Sequence, residues 1–228
     1  GSMAESFASL GDSIYFHDAD GVYVNLFAPS TLDWQERGIR LTQETRFPED
    51  QAVRLRVHSS RPARFALRLR MPSWSRAVAV RLNGKALASS TPPGNYLSLA
   101  RSWHDGDEVT LQLPMHLHTV PMPDDPTLQA VMYGPLVLAG RLGSAGLTAA
   151  TLRAPPTQPR KVPEYTAAPV EAPPIVAPGD DPASWLAPVP GRALEFTTRG
   201  QREALAVSPL SRIFDERYVV YWRVTRTA

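Results

Sequence analysis

The sequence contains no cysteine, and this absence excludes several kinds of chemistry at once. Without a thiol, the chain can form no disulfide bond, carry no thiolate nucleophile and build no cysteine-ligated zinc site. The absence does not identify a compartment, because reducing and oxidising environments both tolerate a protein without cysteine.

Long apolar runs and a large excess of one charge are also missing. No segment approaches the roughly 18 apolar residues that a membrane helix needs, so we expect no membrane partner. The 24 basic and 22 acidic residues leave a formal net charge of +2, which argues against a nucleic-acid partner. Hydrophobic residues make up 43% of the 228 positions, enough for a packed core in one large or two small domains.

Most of the chain shows the alternation of apolar and polar residues that is typical of β-strands. A period of two indicates antiparallel strands with one buried face and one wet face. Asn-Gly and Asp-Gly steps between these segments favour tight hairpin turns. The sequence therefore predicts an all-β protein built from two jelly-roll-like β-sandwich domains. The clearest alternating segments are residues 22–27, 53–58, 64–70, 78–82 and 109–113.

The domain limits follow from breaks in this pattern. We assign residues 1–12 to an expression-tag remnant, Gly1–Met3, followed by a short helical segment over Ala4–Leu10. Proline and paired Asp residues near 117–126 should end a strand ladder, which places the two sandwiches at 13–120 and 121–228.

A proline-rich stretch covers residues 154–190 and holds 11 of the 23 prolines. Such a stretch is either a linker or a long loop laid over a domain surface. We predict a surface loop of the second domain, because a free linker has little use for large apolar residues. The expected anchors are Val162, Tyr165, Ile175, Val176, Trp185 and Leu186.

Asp18 and Asp20 form the most conspicuous carboxylate pair. A calcium-binding loop that begins at Asp18 would need Gly and Glu where the chain has Tyr23 and Pro29. A glycosidase pair would need to flank a sugar from opposite sides of a cleft. The Asp-Gly step between alternating segments instead predicts a hairpin turn, and we assign no catalytic residue.

Two further groups of polar residues are candidates for binding. His116 and His118 share a strand face, but two ligands are too few for a tight site, so we predict no metal and no cofactor in this chain. Arginines between residues 54 and 70 could form a polyanion-binding face or a solvated face paired with acidic residues. The near-neutral net charge favours the second interpretation. These arginines are Arg54, Arg56, Arg64, Arg68 and Arg70.

Four aromatic residues are candidate carbohydrate contacts: Trp34, Trp74, Tyr96 and Trp103. Aromatic rings can stack on the C–H faces of sugars, and β-sandwich binding modules present such rings in a row. The alternative is that the rings are core edges or anchors at a domain interface. An exposed row would favour sugar binding, and buried rings would favour a supporting role.

An ordered series of segments resembles the C-terminal part of bacterial β-L-arabinofuranosidase-type enzymes of glycoside hydrolase families 127 and 146. The segments are "ESFASLGDSIYFHDADGVYVNLFAPSTLDW", "FALRLRMPSW", "VRLNGK", "LARSWHDGDEVTLQLPM", "YGPLVLAG" and "RYVVYW". The resemblance implies an (α/α)6 catalytic barrel followed by β-sandwiches. It also implies a cysteine nucleophile in a zinc site of three cysteines and a glutamate, with an adjacent cysteine pair just before the stretch matching Glu5–Phe7. None of these cysteines exists here, so no catalytic or zinc-binding role is carried over.

The resemblance implies a non-catalytic accessory region of a bacterial glycoside hydrolase, in which Ala4–Leu10 is the end of the barrel's last helix. Its partner would be the catalytic barrel of the same parent protein, where the zinc ion would lie. An exposed docking face could also let the chain self-associate. The alternative is a free-standing carbohydrate-binding module. The bacterial cytoplasm and the periplasm both remain open as compartments.

Overall fold

The computed structural model describes residues 11–148 and 170–226. Within these residues the chain forms nineteen β-strands and a few short 3-10 helices, which confirms the predicted all-β class. The structure divides into two compact units, Gly1–Met115 and His116–Ala228. The helical segment expected at Ala4–Leu10 lies outside the described residues.

The first unit is a sandwich of two separate sheets. A four-stranded sheet has the order β1-β2-β6-β9, and a six-stranded sheet has the order β3-β4-β5-β10-β7-β8. All neighbours are antiparallel except β2 and β6, which run parallel. The strands are β1 (Tyr15–His17), β2 (Gly21–Val24), β3 (Ser30–Trp34), β4 (Ile39–Thr45), β5 (Ala52–Ser59), β6 (Ala63–Arg70), β7 (Ala79–Leu82), β8 (Lys85–Leu87), β9 (Tyr96–Trp103) and β10 (Glu108–Gln112).

The core of the first unit follows directly from the alternation in the sequence. In β5 the aliphatic residues Val53, Leu55 and Val57 are buried, while Arg54 is exposed. In β6 the residues Phe65, Leu67 and Leu69 are likewise buried, and the small Ala66 is buried as well. Removing this apolar surface from water, at roughly 25 cal/mol per Å2, is the main force that holds the two sheets together.

The predicted Asn-Gly turn joins β7 to β8. Asn83 and Gly84 have φ angles of 49° and 76°, the left-handed conformation that a two-residue hairpin requires. The Asn83 side chain accepts from the Glu108 N–H and donates to the Asp107 carboxylate, which fixes the turn against β10.

In the second unit, nine strands share one hydrogen-bonded sheet. Its main path is β14-β19-β12-β13-β17-β16-β15, with β11 added on β12 and β18 added on β13. The strands are β11 (Leu117–Pro121), β12 (Leu128–Tyr133), β13 (Leu136–Gly143), β14 (Ile175–Ala177), β15 (Leu186–Pro188), β16 (Phe196–Thr198), β17 (Ala206–Pro209), β18 (Arg217–Val219) and β19 (Tyr221–Arg226).

This sheet curls because β12 and β13 change partners along their length. One end of β12 pairs with β19, and the other end pairs with β13. Ile175 on β14 and Leu186 on β15 lie at opposite ends of the path, yet both belong to one buried core. The sheet must therefore fold over on itself, which gives a sandwich-like arrangement from a single sheet.

Two side-chain contacts, one in the middle and one at the end, help to hold this curled sheet. Gly140 on β13 makes room for Trp222, since a Cβ at Gly140 would lie 2.2 Å from the indole ring. At the end of the sheet, the Val176 N–H donates to the Gln201 side-chain oxygen at 2.9 Å. The Gln201 amide nitrogen donates to the Val176 carbonyl at the same distance.

The structure corrects two details of the second half and gives the position at which the two units divide. Leu117–Pro121 is a strand, not a break in the ladder; proline is accommodated at the end of a strand that pairs on one side only. The two units divide between Met115 and His116, before the predicted boundary at 120/121. The apolar and aromatic residues over 217–225 predict one long closing strand, but the chain bends at Val220 and forms β18 and β19.

The predicted loop over 154–190 is described only from residue 170. Within that part, Ile175–Ala177 and Leu186–Pro188 are strands instead of loop. The expected anchors Ile175, Trp185 and Leu186 are indeed buried, whereas Val176 is 41% exposed. The anchors proposed at Val162 and Tyr165 lie outside the described residues.

Candidate carbohydrate-contact and docking surfaces

Two of the four candidate aromatic residues lie in the core of the first unit. Trp103 is fully buried and Trp34 is only 8% exposed. Phe65 lies between them, at ring-centroid distances of 5.8 Å from Trp34 and 5.7 Å from Trp103. The Trp103 indole N–H donates to the Phe65 carbonyl at 3.1 Å. These rings therefore pack the interior and offer no face to a sugar.

The other two candidates are half-buried and have separate neighbours. The Trp74 ring stacks on Phe47 at a centroid distance of 5.8 Å. The Tyr96 ring meets Tyr23 edge to face at 5.3 Å, and its hydroxyl donates to the Asn25 side-chain oxygen at 2.6 Å. With two of the four rings buried, the predicted aromatic residues do not form one exposed row.

The predicted Asp18 turn connects β1 and β2 and carries a dense polar network. The Asp18 carboxylate accepts from the backbone N–H groups of Asp20 and Gly21 at 2.9 and 2.8 Å. It also accepts from the Tyr23 hydroxyl at 3.0 Å and from the Arg68 guanidinium at 3.1 Å. Partial desolvation raises the pKa of Asp18, but these donors together outweigh it and hold the pKa at about 2. Asp18 is therefore a fixed anion and cannot act as a general acid near neutral pH.

The same network orients the surface of the four-stranded sheet. The Arg68 guanidinium lies over the Tyr23 ring at 4.6 Å from its centroid, and Tyr23 in turn contacts Tyr96. Phe16 stands opposite Tyr23 across β1 and β2 and is 50% exposed. These contacts form a surface of ordered aromatic and polar groups, which was not predicted from the sequence.

The arginines expected to form one stripe lie on two different sheets. Arg54 and Arg56 belong to the six-stranded sheet, whereas Arg68 belongs to the four-stranded sheet. Arg54 lies 3.5 Å from the Glu108 carboxylate and 3.8 Å from Glu44. This pairing supports the interpretation of a solvated face with acidic partners. A shallow groove of about 370 Å3 runs over this face between β4 and β7.

His116 and His118 lie together on β11 or just before it, with ring centroids 5.4 Å apart. Among the described residues, no group of three or more His, Asp or Glu side chains is arranged to hold a metal ion. None of the helices in the described part of the chain is long and apolar enough to span a membrane.

The second unit exposes three aromatic residues close together in sequence. Phe214 is 75% exposed, and Tyr218 and Tyr221 are each 51% exposed. In one unbroken strand Tyr218 and Trp222 would share a face, but Trp222 is only 1% exposed. The bend at Val220 changes the alternation, so Tyr221 is exposed where an unbroken strand would turn it away from Tyr218.

Sequence comparison divides the chain at the same place as the structure. Residues 21–115 match the family model described as the middle domain of GH127 β-L-arabinofuranosidase. Residues 21–115 are a family 127 middle domain. Residues 118–224 match DUF4986, a domain of unknown function, so the middle domain is followed by a DUF4986 domain. A comparison with curated proteins gives no match.

Solved structures share the fold of the family 127 middle domain and the domain that follows it. A GH127 β-L-arabinofuranosidase from Geobacillus stearothermophilus T6 has a TM-score of 0.70 at 21% identity over 98% of this chain. A GH127 β-arabinofuranosidase gives 0.63 at 20% identity over 93%. The chain spans 37% and 36% of the length of these two structures.

Proposed function

We propose that the chain is the non-catalytic accessory region of a glycoside hydrolase that resembles β-L-arabinofuranosidases. In this proposal it packs on and supports a catalytic (α/α)6 barrel in another part of the same parent protein. The observation that carries the proposal is the order of the two matches, a family 127 middle domain and a DUF4986 domain, over residues 21–224. The solved relatives, about a third of whose length this chain covers, support a larger parent protein.

The side-chain chemistry of this chain favours a non-catalytic role. The resemblance implies a thiolate nucleophile held by zinc, and a chain without cysteine cannot supply it. Four donor groups hold Asp18 in its ionised form, so it is not available as a proton donor. Zinc in the parent protein would accordingly be a property of the catalytic barrel.

Exposed aromatic residues give this role a physical basis. Phe214, Tyr218 and Tyr221 on the second unit, together with Phe16 on the first unit, expose more than a third of their surface to water. Large aromatic residues are enriched at interfaces because they bury much area at a small cost in conformational entropy. We propose these residues as contacts to the barrel.

An activity assay tests the proposal. The purified chain is incubated with an aryl β-L-arabinofuranoside, and its metal content is measured in parallel. We expect no turnover and no stoichiometric zinc. Turnover that a chelator abolishes, or one zinc per chain, would contradict the accessory role and favour an enzyme.

A carbohydrate-binding module is the second candidate, and it now rests on Trp74 and Tyr96. These rings are half-buried, so part of each ring is at the surface, unlike those of Trp34 and Trp103. Titration of arabinan oligosaccharides into labelled chain, followed by NMR, separates the candidates. Shifts that are lost in both Trp74→Ala and Tyr96→Ala would favour the module, and the absence of shifts favours the accessory role.

A further inference from the structure

Among residues 11–148 and 170–226, no strand covers the outer edge of the four-stranded sheet at β9. Within them β9 pairs only with β6, and it is eight residues long, about 27 Å at a rise of 3.4 Å per residue. Its register with β6 is continuous, so no bulge interrupts the edge. The strand contains no lysine and no proline, and Arg101 is its one charged residue. Lysine, proline and bulges are among the devices that protect free edges in natural sheets, and β9 has none of these three. Its one charge, Arg101, is on the inward face, over the Trp103 ring.

The hydrogen-bonding groups of the open edge can be assigned from two contacts. The Ala66 N–H donates to Asp20 on the β2 side, so Ala66 does not bond to its β9 partner Ala100. The Met71 N–H donates to the Asn95 carbonyl, which places the β6-facing groups of β9 on odd-numbered residues. Antiparallel ladders alternate in this way, so the backbone groups of Ala100 and of every second residue from it point outward.

These outward groups belong to Tyr96, Ser98, Ala100 and Ser102. Ser98, Ala100 and Ser102 are exposed, and their small side chains leave the edge accessible. The Arg101 side chain donates to the Ser102 carbonyl, which confirms that this carbonyl faces away from β6. Within the described residues, the outward N–H groups of Ser98 and Ala100 have no protein partner.

The core is also open beside β9. On β6 the inward residues Leu67 and Leu69 are fully buried, but their cross-strand partners Leu99 and Leu97 are only partly buried. On the opposite side of the sandwich β1 lies over β3, since the Tyr15 hydroxyl is 2.9 Å from that of Ser30. The six-stranded sheet therefore extends past β9, and an added strand with an inward leucine would complete the core.

We infer that β9 pairs antiparallel with β9 of a second copy of this chain. A two-fold axis at Leu99 places Leu99 against its copy in the core layer and Ser98 opposite Ala100. In this register the outward-bonding residues face each other, as the ladder requires. Arg101 lies opposite Leu97, so no like charges meet across the pair, and its guanidinium keeps Asp107 as an ionic partner at 3.7 Å. The register is related to itself by the two-fold axis, as an interface between identical surfaces requires. The two four-stranded sheets would become one eight-stranded sheet.

The absence of cysteine makes the register directly testable. In a Leu99→Cys variant, the two introduced thiols would face each other in a non-hydrogen-bonded pair, the geometry that a disulfide can bridge. We expect mild oxidation to give a covalent dimer of this variant. The matched control is Leu97→Cys, which faces Arg101 in the partner copy and should remain monomeric on a denaturing gel. Equal cross-linking of both variants, or none in Leu99→Cys, would overturn the inference.

Sedimentation of the full chain tests the edge independently. The unmodified chain should reach twice its 25.0 kDa mass as its concentration rises. Ala100→Pro removes an outward N–H, costs no bond to β6, and should raise the dimer dissociation constant at least about tenfold. Ala86→Pro on β8, the edge of the other sheet, is the control and should leave dimerisation unchanged. Thermal unfolding verifies that both variants fold, and a chain that stays monomeric at all concentrations would disprove the pairing. This inference does not depend on the proposed accessory role.

Discussion

The two units of this chain build a β-sandwich in different ways. The first unit stacks two separate sheets, and the residues that face the core alternate regularly along strands of up to eight residues. The second unit folds a single sheet over itself, using several strands of only three residues. Both cores contain buried tryptophans, but aliphatic residues outnumber aromatic ones more strongly in the first unit than in the second.

The difference shows two ways to specify one architecture. A long alternating strand has one apolar face. In the first unit, the sequence of each strand therefore determines which of its side chains face the core. Short strands cannot do this, and in the second unit the fold depends on specific contacts between distant positions. The fit of Trp222 against Gly140 is one such contact. Substitutions that affect one unit should therefore act by different mechanisms from those that affect the other.

Gly21→Ala should give the largest effect and should act on the first unit. A Cβ at Gly21 would lie 2.0 Å from the Ala66 carbonyl oxygen, and backbone cannot move aside as a side chain can. We expect the free energy of unfolding to fall by about 3 kcal/mol or more. Hydrogen exchange with peptide resolution should show loss of protection in β2 and β6. Gly11→Ala has open space around it and is the control.

Gly140→Ala tests the corresponding contact in the second unit. Its Cβ would lie 2.2 Å from the Trp222 ring and 2.8 Å from the Leu205 side chain. Because side chains can partly repack, we expect a smaller loss, about 2 kcal/mol, with faster exchange in β13 and β19. Gly179→Ala, with no atom within 4 Å, serves as the control. Loss of protection confined to the first unit would refute this account.

Two buried tryptophans allow a matched comparison between the units. Trp103 and Trp222 are 0% and 1% exposed, but only the Trp103 indole N–H has a described hydrogen-bond acceptor. Replacement by phenylalanine removes similar ring area from both. Trp103→Phe should therefore cost about 1 kcal/mol more than Trp222→Phe, because it leaves the Phe65 carbonyl without this partner. Urea unfolding measures both, and equal losses would show that the hydrogen bond contributes nothing.

The smallest effect should come from pH and be confined to the first unit. The folded pKa of Asp18 is about 2, below its ordinary value of about 3.9, so its contribution is complete above pH 4. That contribution is lost as the pH falls through 2. The difference in melting temperature between the unmodified chain and Asp18→Asn should be constant above pH 4 and disappear towards pH 2. The control is Asp20→Asn, because Asp20 donates to the Asp18 carboxylate only through its backbone N–H.

The sequence predicted the first unit better than the second for physical reasons. The alternation in β5 and β6 and the Asn83-Gly84 turn are local signals, and the structure contains them as expected. The strands Ile175–Ala177 and Leu186–Pro188 are too short to show a period and lie among prolines. Only the burial of their anchor residues could be predicted from the sequence.

The candidate surfaces were harder to predict because they depend on contacts between distant residues. The Asp18 turn is a local signal, but its partner Arg68 is 50 positions away. The sequence identifies Trp103 as aromatic, and only its place in the core beside Phe65 shows that no sugar can stack on it. The exposure of Tyr221 follows from a bend at Val220, and no residue typical of turns predicts a bend at that position.

Gln201 has a consequence for how the protein would behave at high concentration. By bonding both backbone groups of Val176, its amide takes the place that a strand from another molecule would need. The Gln201 side chain therefore blocks the addition of strands from other molecules at that edge of the sheet. A substitution such as Gln201→Ala would leave the unit folded but expose an unpaired strand edge. The expected effect is aggregation, measured as turbidity on storage, without a lower melting temperature.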